Sequence, residues 1–324
     1  MVRGDEDHEG QISGRKRMTR GESRSPGAKL REAIDRGTVV LPGAFNALTA
    51  LQIERAGFQA LYVSGAGLSA ARGLPDLGLL SMAEVLADAA AIARVVSIPA
   101  IVDVDTGFGP PLAVMRTVEE CERAGLAGIQ IEDQDLPKKC GHLPGKRLVS
   151  LDEMTSKIRA ACEARRDPTL VIVARTDARA VEGLEGAVKR ARSYVEAGAD
   201  VIFPEALESA EEFRLFAEGL AGERGAVPKV PLLANMTEFG KTPYLSVAEF
   251  ESLGYRLVLF PVTALRVAAK AVELLLAEVK RLGSQRHLLE RMQTRHELYD
   301  LLRYEDYERR SRLCEAKEEG HADR

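Results

Sequence analysis

The sequence predicts an α/β fold, a (β/α)8 TIM-type barrel with a C-terminal helical extension, and three observations carry that expectation. Eight short, apolar, β-branched runs alternate with longer segments of helical spacing. The runs are nearly continuous in apolar residues, as strands of a parallel sheet covered on both faces must be. Several helical segments end in the same way, with a glycine two or three residues before the next run, where a helix C-terminus needs a left-handed residue. About eight such units in roughly 250 residues is the size of a barrel. A doubly wound open sheet would use the same units, since strand count alone does not close a barrel.

In chain order the runs are VVLPGAF from Val39, ALYVSG from Ala60, AIVDVDTG from Ala100 and GIQIEDQ from Gly128, then TLVIVART from Thr169, DVIFPE from Asp200, VPLLANM from Val230 and LVLFPV from Leu257. The helix endings are ERAGFQALYVSG, ERAGLAGIQIED, VEAGADVIFPE and ESLGYRLVLFP, with Gly57, Gly125, Gly198 and Gly254 at the expected left-handed positions. Residues 1–25 are rich in Gly, Ser, Arg and acids with no apolar period, and are expected to be a disordered N-terminal tail. Residues 26–283 form the barrel. Residues 284–324 are strongly charged but keep helical spacing through Leu288, Met292, Leu298, Leu301 and Leu302, and are expected to be helical.

Composition excludes several classes of function. Forty-five per cent of the 324 residues are hydrophobic and 29% charged, enough for a large core. Lysine and arginine total 45 against 49 acids, a net charge of −4 that offers no footprint for nucleic acid or an anionic membrane. The apolar window from Val85 to Val102 is interrupted by Asp88, Arg94 and Pro99 and cannot span a bilayer. MVRGDEDHEG lacks the apolar stretch of a secretory signal. Four cysteines without C-x-x-C spacing suggest neither a disulfide framework nor zinc, and fit a reducing cytoplasm.

The polar residues fall at the ends of the runs: Ser64, Asp103 and Asp105, Glu132 and Asp133, Arg175 and Asp177, Glu205, and Asn235. A barrel builds its active site from those strand ends. One polar residue closing a strand means little, but six strands ending this way on one rim point to a site. Asp103 and Asp105, two apart on a strand, are expected to face the same way. Two such carboxylates repel unless protonated or bridged by a cation, and a hard one, Mg2+ or Mn2+, suits oxygen ligands; capping of local amides is the plainer alternative. Glu132 would support the ion.

In the loop KKCGHLPGK, Cys140 and His142 lie among Lys138, Lys139 and Lys146. Neighbouring cations are expected to lower the thiol pKa and place a titratable proton near an anionic ligand. Cys121 and Cys162, on helical patterns, read as buried hydrophobes. Arg175, Arg266 and Arg295 could grip a substrate with several carboxylates, though each alone would serve as a surface ion-pair partner. Gly65-Ala66-Gly67-Leu68-Ser69-Ala70 fits a dinucleotide-binding pattern, but Gly73 and Pro75 are expected to break the helix that motif must open.

Taken together, YVSGAG, GLPDLG, DVDTGFG, IEDQ, KKCGH, VARTDA, FPEA and NMTEFG, in this order and spacing, resemble the isocitrate lyase and phosphoenolpyruvate mutase superfamily from about Pro42 to Tyr307. Within it, KKCGH is similar to the carbon–carbon lyases that use a cysteine rather than to the phosphonate mutases and hydrolases. The chain is too short for isocitrate lyase, which carries a large insertion.

The resemblance implies Mg2+ (or Mn2+) on Asp103 and Asp105, with Asp76 and Glu132 in support. It implies Cys140 as general acid beside Gly141 and His142. The tricarboxylate substrate would be held by Ser64, Gly65, Ala66, Cys140, Gly141, Arg175, Glu205, Asn235, Thr237, Arg266 and Arg295. Ala66 stands where many relatives have glycine, which matters little for a backbone contact. The implied reaction is retro-aldol cleavage of 2-methylisocitrate to pyruvate and succinate. A related lyase acting on 2,3-dimethylmalate or isocitrate is the alternative within the family, and a non-catalytic dicarboxylate-binding barrel the alternative outside it. The implied assembly is a homotetramer, a dimer of dimers that exchange a C-terminal helix.

Overall fold

The structure, a computed structural model, describes residues 24–221 and 230–322. Most of the expected N-terminal tail therefore lies outside the described residues; its last residue, Ser25, caps helix α1 (Pro26–Arg36) by accepting from the Ala28 amide.

All eight expected strands form: β1 (Val39–Ala44), β2 (Leu61–Val63), β3 (Ala100–Asp103), β4 (Gly128–Glu132), β5 (Val171–Thr176), β6 (Val201–Pro204), β7 (Leu233–Asn235) and β8 (Leu257–Phe260). They pair in parallel in the order β6-β5-β4-β3-β2-β1-β8-β7. The ends of that sheet meet through a parallel bridge between Ile202 and Leu232, so the sheet is a barrel and not the open alternative. Gly57, Gly125, Gly198 and Gly254 take φ of 87°, 81°, 107° and 90°, the left-handed conformations required where each helix turns into its strand.

Two apolar layers result. Inside the barrel, Leu41, Ile101, Val173, Val201, Leu233 and Leu257 pack together, and Leu30, Ala33 and Ile34 of α1 close the N-terminal mouth against them. Outside it, strand side chains pack on the surrounding helices, including α2 (Ala47–Arg55), α5 (Pro111–Arg123), α6 (Leu151–Ala164) and α8 (Ala210–Ala221). Each fully buried Leu or Ile contributes about 1.5–3 kcal/mol. With α1 plugging one mouth, the polar strand ends are gathered at the other.

Three expectations need correction here. The glycine-rich stretch after β2 does open a helix, α3 (Gly65–Ala71), which stops within seven residues at Arg72 as Gly73 turns to φ 72°. Gly73 and Pro75 end this helix early; they do not prevent it. Asp105 is not on β3, which ends at Asp103; it sits in a turn with φ 50°. Its amide donates to Asp103 Oδ1 at 3.0 Å, so the turn and not strand alternation brings the two carboxylates together. Cys121 is buried in α5 as expected, whereas Cys162 in α6 is only half-buried.

The last barrel helix, α10 (Thr263–Leu282), has no buried residue, and Gly283 ends it in the left-handed conformation. Beyond a 3-10 turn (Arg286–Arg291), α11 (Arg295–Leu301) returns to α2, burying Leu301 and pairing Asp300 with Arg55 at 3.0 Å. A final helix, α12, runs Tyr304–Ala322. No helix among the described residues is long and apolar enough to cross a membrane.

Candidate active site

A cavity of about 220 Å³ opens at the C-terminal rim. Ser64, Ala66, Asp76, Asp103, Cys140, Gly141, His142, Arg175, Glu205, Asn235, Thr237 and Arg266 all line it. Strand ends supply Asp103 (β3), Arg175 (β5) and Asn235 (β7), while Glu205 directly follows β6. The loop after β4 folds over to bring Cys140, Gly141 and His142.

Gly65 lies against the acids, and a Cβ there would sit 2.9 Å from Asp103 Oδ2. Gly141 is tighter still: its Cβ would meet Glu205 Cγ and Oε1 at 2.4 Å, so only glycine lets the loop seat on Glu205.

The electrostatics are those of a crowded, dry site. Arg175 is the central cation. Its Nε donates to Asp177 Oδ2 at 2.9 Å, Nη1 stands 3.5 Å from Glu132 Oε2 and Nε 3.8 Å from Glu205 Oε2, and the guanidinium lies 5.3 Å over the Phe203 ring. Burial alone would raise the Glu205 pKa, but Arg175 and the His142 contact outweigh it and hold the carboxyl near pKa 2, so Glu205 is ionised. Asn235 Nδ2 donates to it at 3.1 Å.

His142 Nδ1 accepts from the Lys241 amide at 3.0 Å, which leaves the proton on Nε2, 3.0 Å from Glu205 Oε1. Burial pushes Asp103 up to about 6 despite Lys138, with Asp105 adding to the rise. Burial likewise pushes Glu132 well above the carboxylate range.

The lysines of the loop do not act on the thiol as expected. Lys138 is buried with Nζ 2.8 Å from Asp76 Oδ1 and paired with Asp105. Lys139 points to the Pro144 carbonyl, and Lys146 to Asp177 and the Gly141 carbonyl. Burial raises the Cys140 pKa above its ordinary value, against a lowering by the His142 amide. The expected depression is thus overturned: the buried carboxylates claim the ammonium groups, and the sulfur stays a protonated thiol at neutral pH.

Several buried polar atoms on this rim make no hydrogen bond: both Glu132 oxygens and Asn235 Oδ1, while Asp76 Oδ1, Asp105 Oδ1 and His142 Nε2 meet only their charged partners Lys138 and Glu205. Buried polar atoms left unpaired cost about 1–3 kcal/mol each, so such a cluster marks a place built for a ligand. Among the described residues no three His, Cys, Asp or Glu side chains could hold a metal ion by themselves. That suits Mg2+, which takes one or two protein carboxylates and fills its octahedron with water and substrate oxygens. Asp103 and Asp105, converging beside the unpaired oxygens of Glu132 and beside Asp76, fit it.

Not every expected residue arrives. Arg266 reaches only the mouth, half-exposed, 3.5 Å from Glu238. Arg295 begins α11 and lines a separate cleft with Tyr299, Asp300 and Arg303, so within one chain it does not join the cavity. Asp133 turns away from the cavity, accepting from Thr176 Oγ1 at 2.7 Å and Tyr194 Oη at 2.8 Å, and serves the framework. Sequence reasoning missed Tyr62 and gave Lys138 the wrong task, as a neighbour of the thiol and not the counter-charge of Asp76 and Asp105 on the cavity wall. The signal for Lys138 was its place in the KKCGH loop opposite two acids that need a counter-charge.

The fold is that of a (β/α)8-barrel enzyme, with the candidate site at the C-terminal rim. The family model described as phosphoenolpyruvate phosphomutase matches residues 30–280, and the chain belongs to that family. It is 55% identical over 295 residues to the 2-methylisocitrate lyase of Aeropyrum pernix, covering 91% of this chain and 92% of the relative. Among solved structures it resembles 2,3-dimethylmalate lyase (TM-score 0.83, 37% identity, 90% of this chain and 96% of that one). It also resembles a phosphonopyruvate hydrolase complexed with oxalate and Mg++ (TM-score 0.79, 34% identity, 90% and 99%).

Proposed function

We propose that this protein is a Mg2+-dependent carbon–carbon lyase that cleaves 2-methylisocitrate to pyruvate and succinate, the lyase step of the methylcitrate cycle in propionate catabolism. The observation that carries this reading is Cys140: a protonated, half-buried thiol on the wall of the same cavity as Asp103, whose side chain accepts from the amide of the neighbouring acid Asp105. Binding alone needs no acid there. The similarity to named 2-methylisocitrate lyases selects the substrate within the family.

Asp103 and Asp105 would hold the ion, directly or through water, with Asp76 and Glu132 in support. Bound there, Mg2+ would supply positive charge that lowers the pKa of the substrate's hydroxyl, whose proton would pass to solvent water in the cavity. Arg175, Asn235, Thr237 and the Ser64 hydroxyl orient the other carboxylates, and Arg266 screens the mouth.

When the carbon–carbon bond breaks, its electron pair moves to the carbon of the succinate half, and the former hydroxyl oxygen becomes the pyruvate ketone. Arg175 and the amide donors stabilise the charge developing on the succinate carboxylate. Cys140 gives its proton to that carbon and leaves a thiolate, which the His142 amide stabilises and solvent reprotonates. His142, a neutral Nε2–H tautomer beside Glu205, holds the loop against the barrel.

A cytoplasmic setting keeps this thiol reduced. The proposed tetramer of helix-exchanged dimers is supported by α10, whose Val267 and Leu276 are 66% and 61% exposed and need an apolar cover.

The test is pyruvate release from 2-methylisocitrate, isocitrate and 2,3-dimethylmalate with Mg2+. A kcat/KM for 2-methylisocitrate about tenfold or more above the others, lost in EDTA, is expected, since fitting one methyl group is worth about 1–3 kcal/mol. Preference for 2,3-dimethylmalate would move the chain to another step, and no turnover of any of the three would make it a binding protein.

A further inference from the structure

The proposed chemistry does not use Lys146, yet its placement is unusual for a lysine. It lies near the end of the long loop after β4, its side chain is 1% exposed, and it does not line the cavity. The loop base is zipped by an antiparallel bridge between Gln134 and Leu148 and by the Asp135 amide donating to the Arg147 carbonyl at 2.8 Å.

On the N-terminal side of Cys140, Gln134 grips the Lys139 backbone twice, accepting from its amide and donating to its carbonyl, both at 2.9 Å. On the other side, Lys146 Nζ donates to the Gly141 carbonyl and to Asp177 Oδ1, the latter at 2.7 Å. Asp177 is buried and shared with Arg175, so this ammonium joins the loop to β5 at the substrate arginine.

The peptide that Lys146 holds by its oxygen is the one between Gly141 and His142. Its N–H is the His142 amide that favours the thiolate of Cys140. A free loop peptide would rotate; this one is fixed at its carbonyl by Lys146, which also fixes the direction of its N–H.

We infer that Lys146 is a positioning residue: by tying the Gly141 carbonyl to Asp177 it holds the Cys140 loop closed on the barrel and keeps the His142 amide facing the catalytic sulfur. A buried ammonium costs several kcal/mol of desolvation unless its partners repay it, and both of its acceptors here belong to the catalytic framework. This rests on the lyase reading for its kinetic consequence but not for its structural one.

The test compares wild type, Lys146→Met and Lys146→Gln in two measurements. The first is alkylation of Cys140 by iodoacetamide, followed by mass spectrometry of its peptide from about pH 7 to about pH 10, so that thiolate fraction is separated from access. The second is kcat and KM for 2-methylisocitrate. Loss of a charge-assisted tie should raise the pH-independent alkylation rate about tenfold to a hundredfold, and lower kcat by a similar factor with KM changed less.

Thermal unfolding identifies which variant is folded; Gln, nearly as long and still a donor to the carbonyl, serves if Met does not fold. Unchanged alkylation or unchanged kcat in a folded variant overturns the assignment. Should the wild type prove not to be a lyase, the alkylation rates still decide whether Lys146 holds the loop, so the two failures are told apart.

Discussion

Cys140→Ser lowers kcat for 2-methylisocitrate by about 100- to 10,000-fold while KM stays within a few-fold of wild type. The thiol sits on the cavity wall with its pKa raised by burial, so in the proposed reaction it arrives protonated and gives its proton to a strongly basic carbon. A serine hydroxyl is similar in size and still hydrogen-bonds, but it is far less acidic and cannot deliver a proton at a useful rate. Because the thiol adds little to binding, the loss falls on turnover. Steady-state kinetics of the two proteins checks this, and near-normal turnover in the serine variant removes Cys140 from the chemistry.

The second large effect is at Arg175. Arg175→Met keeps an unbranched side chain of similar length but removes the cation that faces Glu132, Asp177 and Glu205 and lies over Phe203. The buried Glu205 and Asp177 carboxylates then lose the cation between them, and leaving a buried charge unpaired typically costs about 3–5 kcal/mol of stability. In the proposed reaction the same cation stabilises the charge developing on the succinate half, so kcat/KM should fall about 100- to 1,000-fold. Thermal unfolding and kinetics on one preparation measure both losses. Arg175→Lys restores charge without the planar fork and should recover stability more than activity. Wild-type kcat/KM in the methionine variant would show that the substrate does not meet this arginine.

The barrel was legible because its constraints are local. A parallel strand covered on both faces must be an apolar run, and a helix that turns at once into such a strand needs left-handed φ at Gly57, Gly125, Gly198 or Gly254. Ser64, Asp103, Glu205 and Asn235 were readable for the same reason: polar residues at the ends of such strands converge on one rim.

What the sequence hid depends on tertiary contacts. Asp105 joins Asp103 through a left-handed turn, which alternation cannot foresee. The lysines around Cys140 looked as though they would acidify it, but acids from the turn after β3, from the loop after α3 and from the segment after β5 draw two of them away. Arg295 was placed in the pocket by resemblance, yet within one chain α11 packs on α2 and carries it elsewhere.

The measurement that bears most directly on the proposed reaction is cleavage of 2-methylisocitrate by the Mg2+-loaded protein in D2O, with both products analysed for label. Cys140 exchanges its proton with solvent, so it delivers a deuteron to the carbon released by bond cleavage. Pyruvate and succinate should form in equal amounts, with a single deuterium on a methylene carbon of succinate and none in the pyruvate methyl group. Deuterium in the pyruvate methyl with unlabelled succinate would mean that the charge collects on the other fragment, and would contradict the role of Cys140. Absence of both products would contradict the lyase assignment itself.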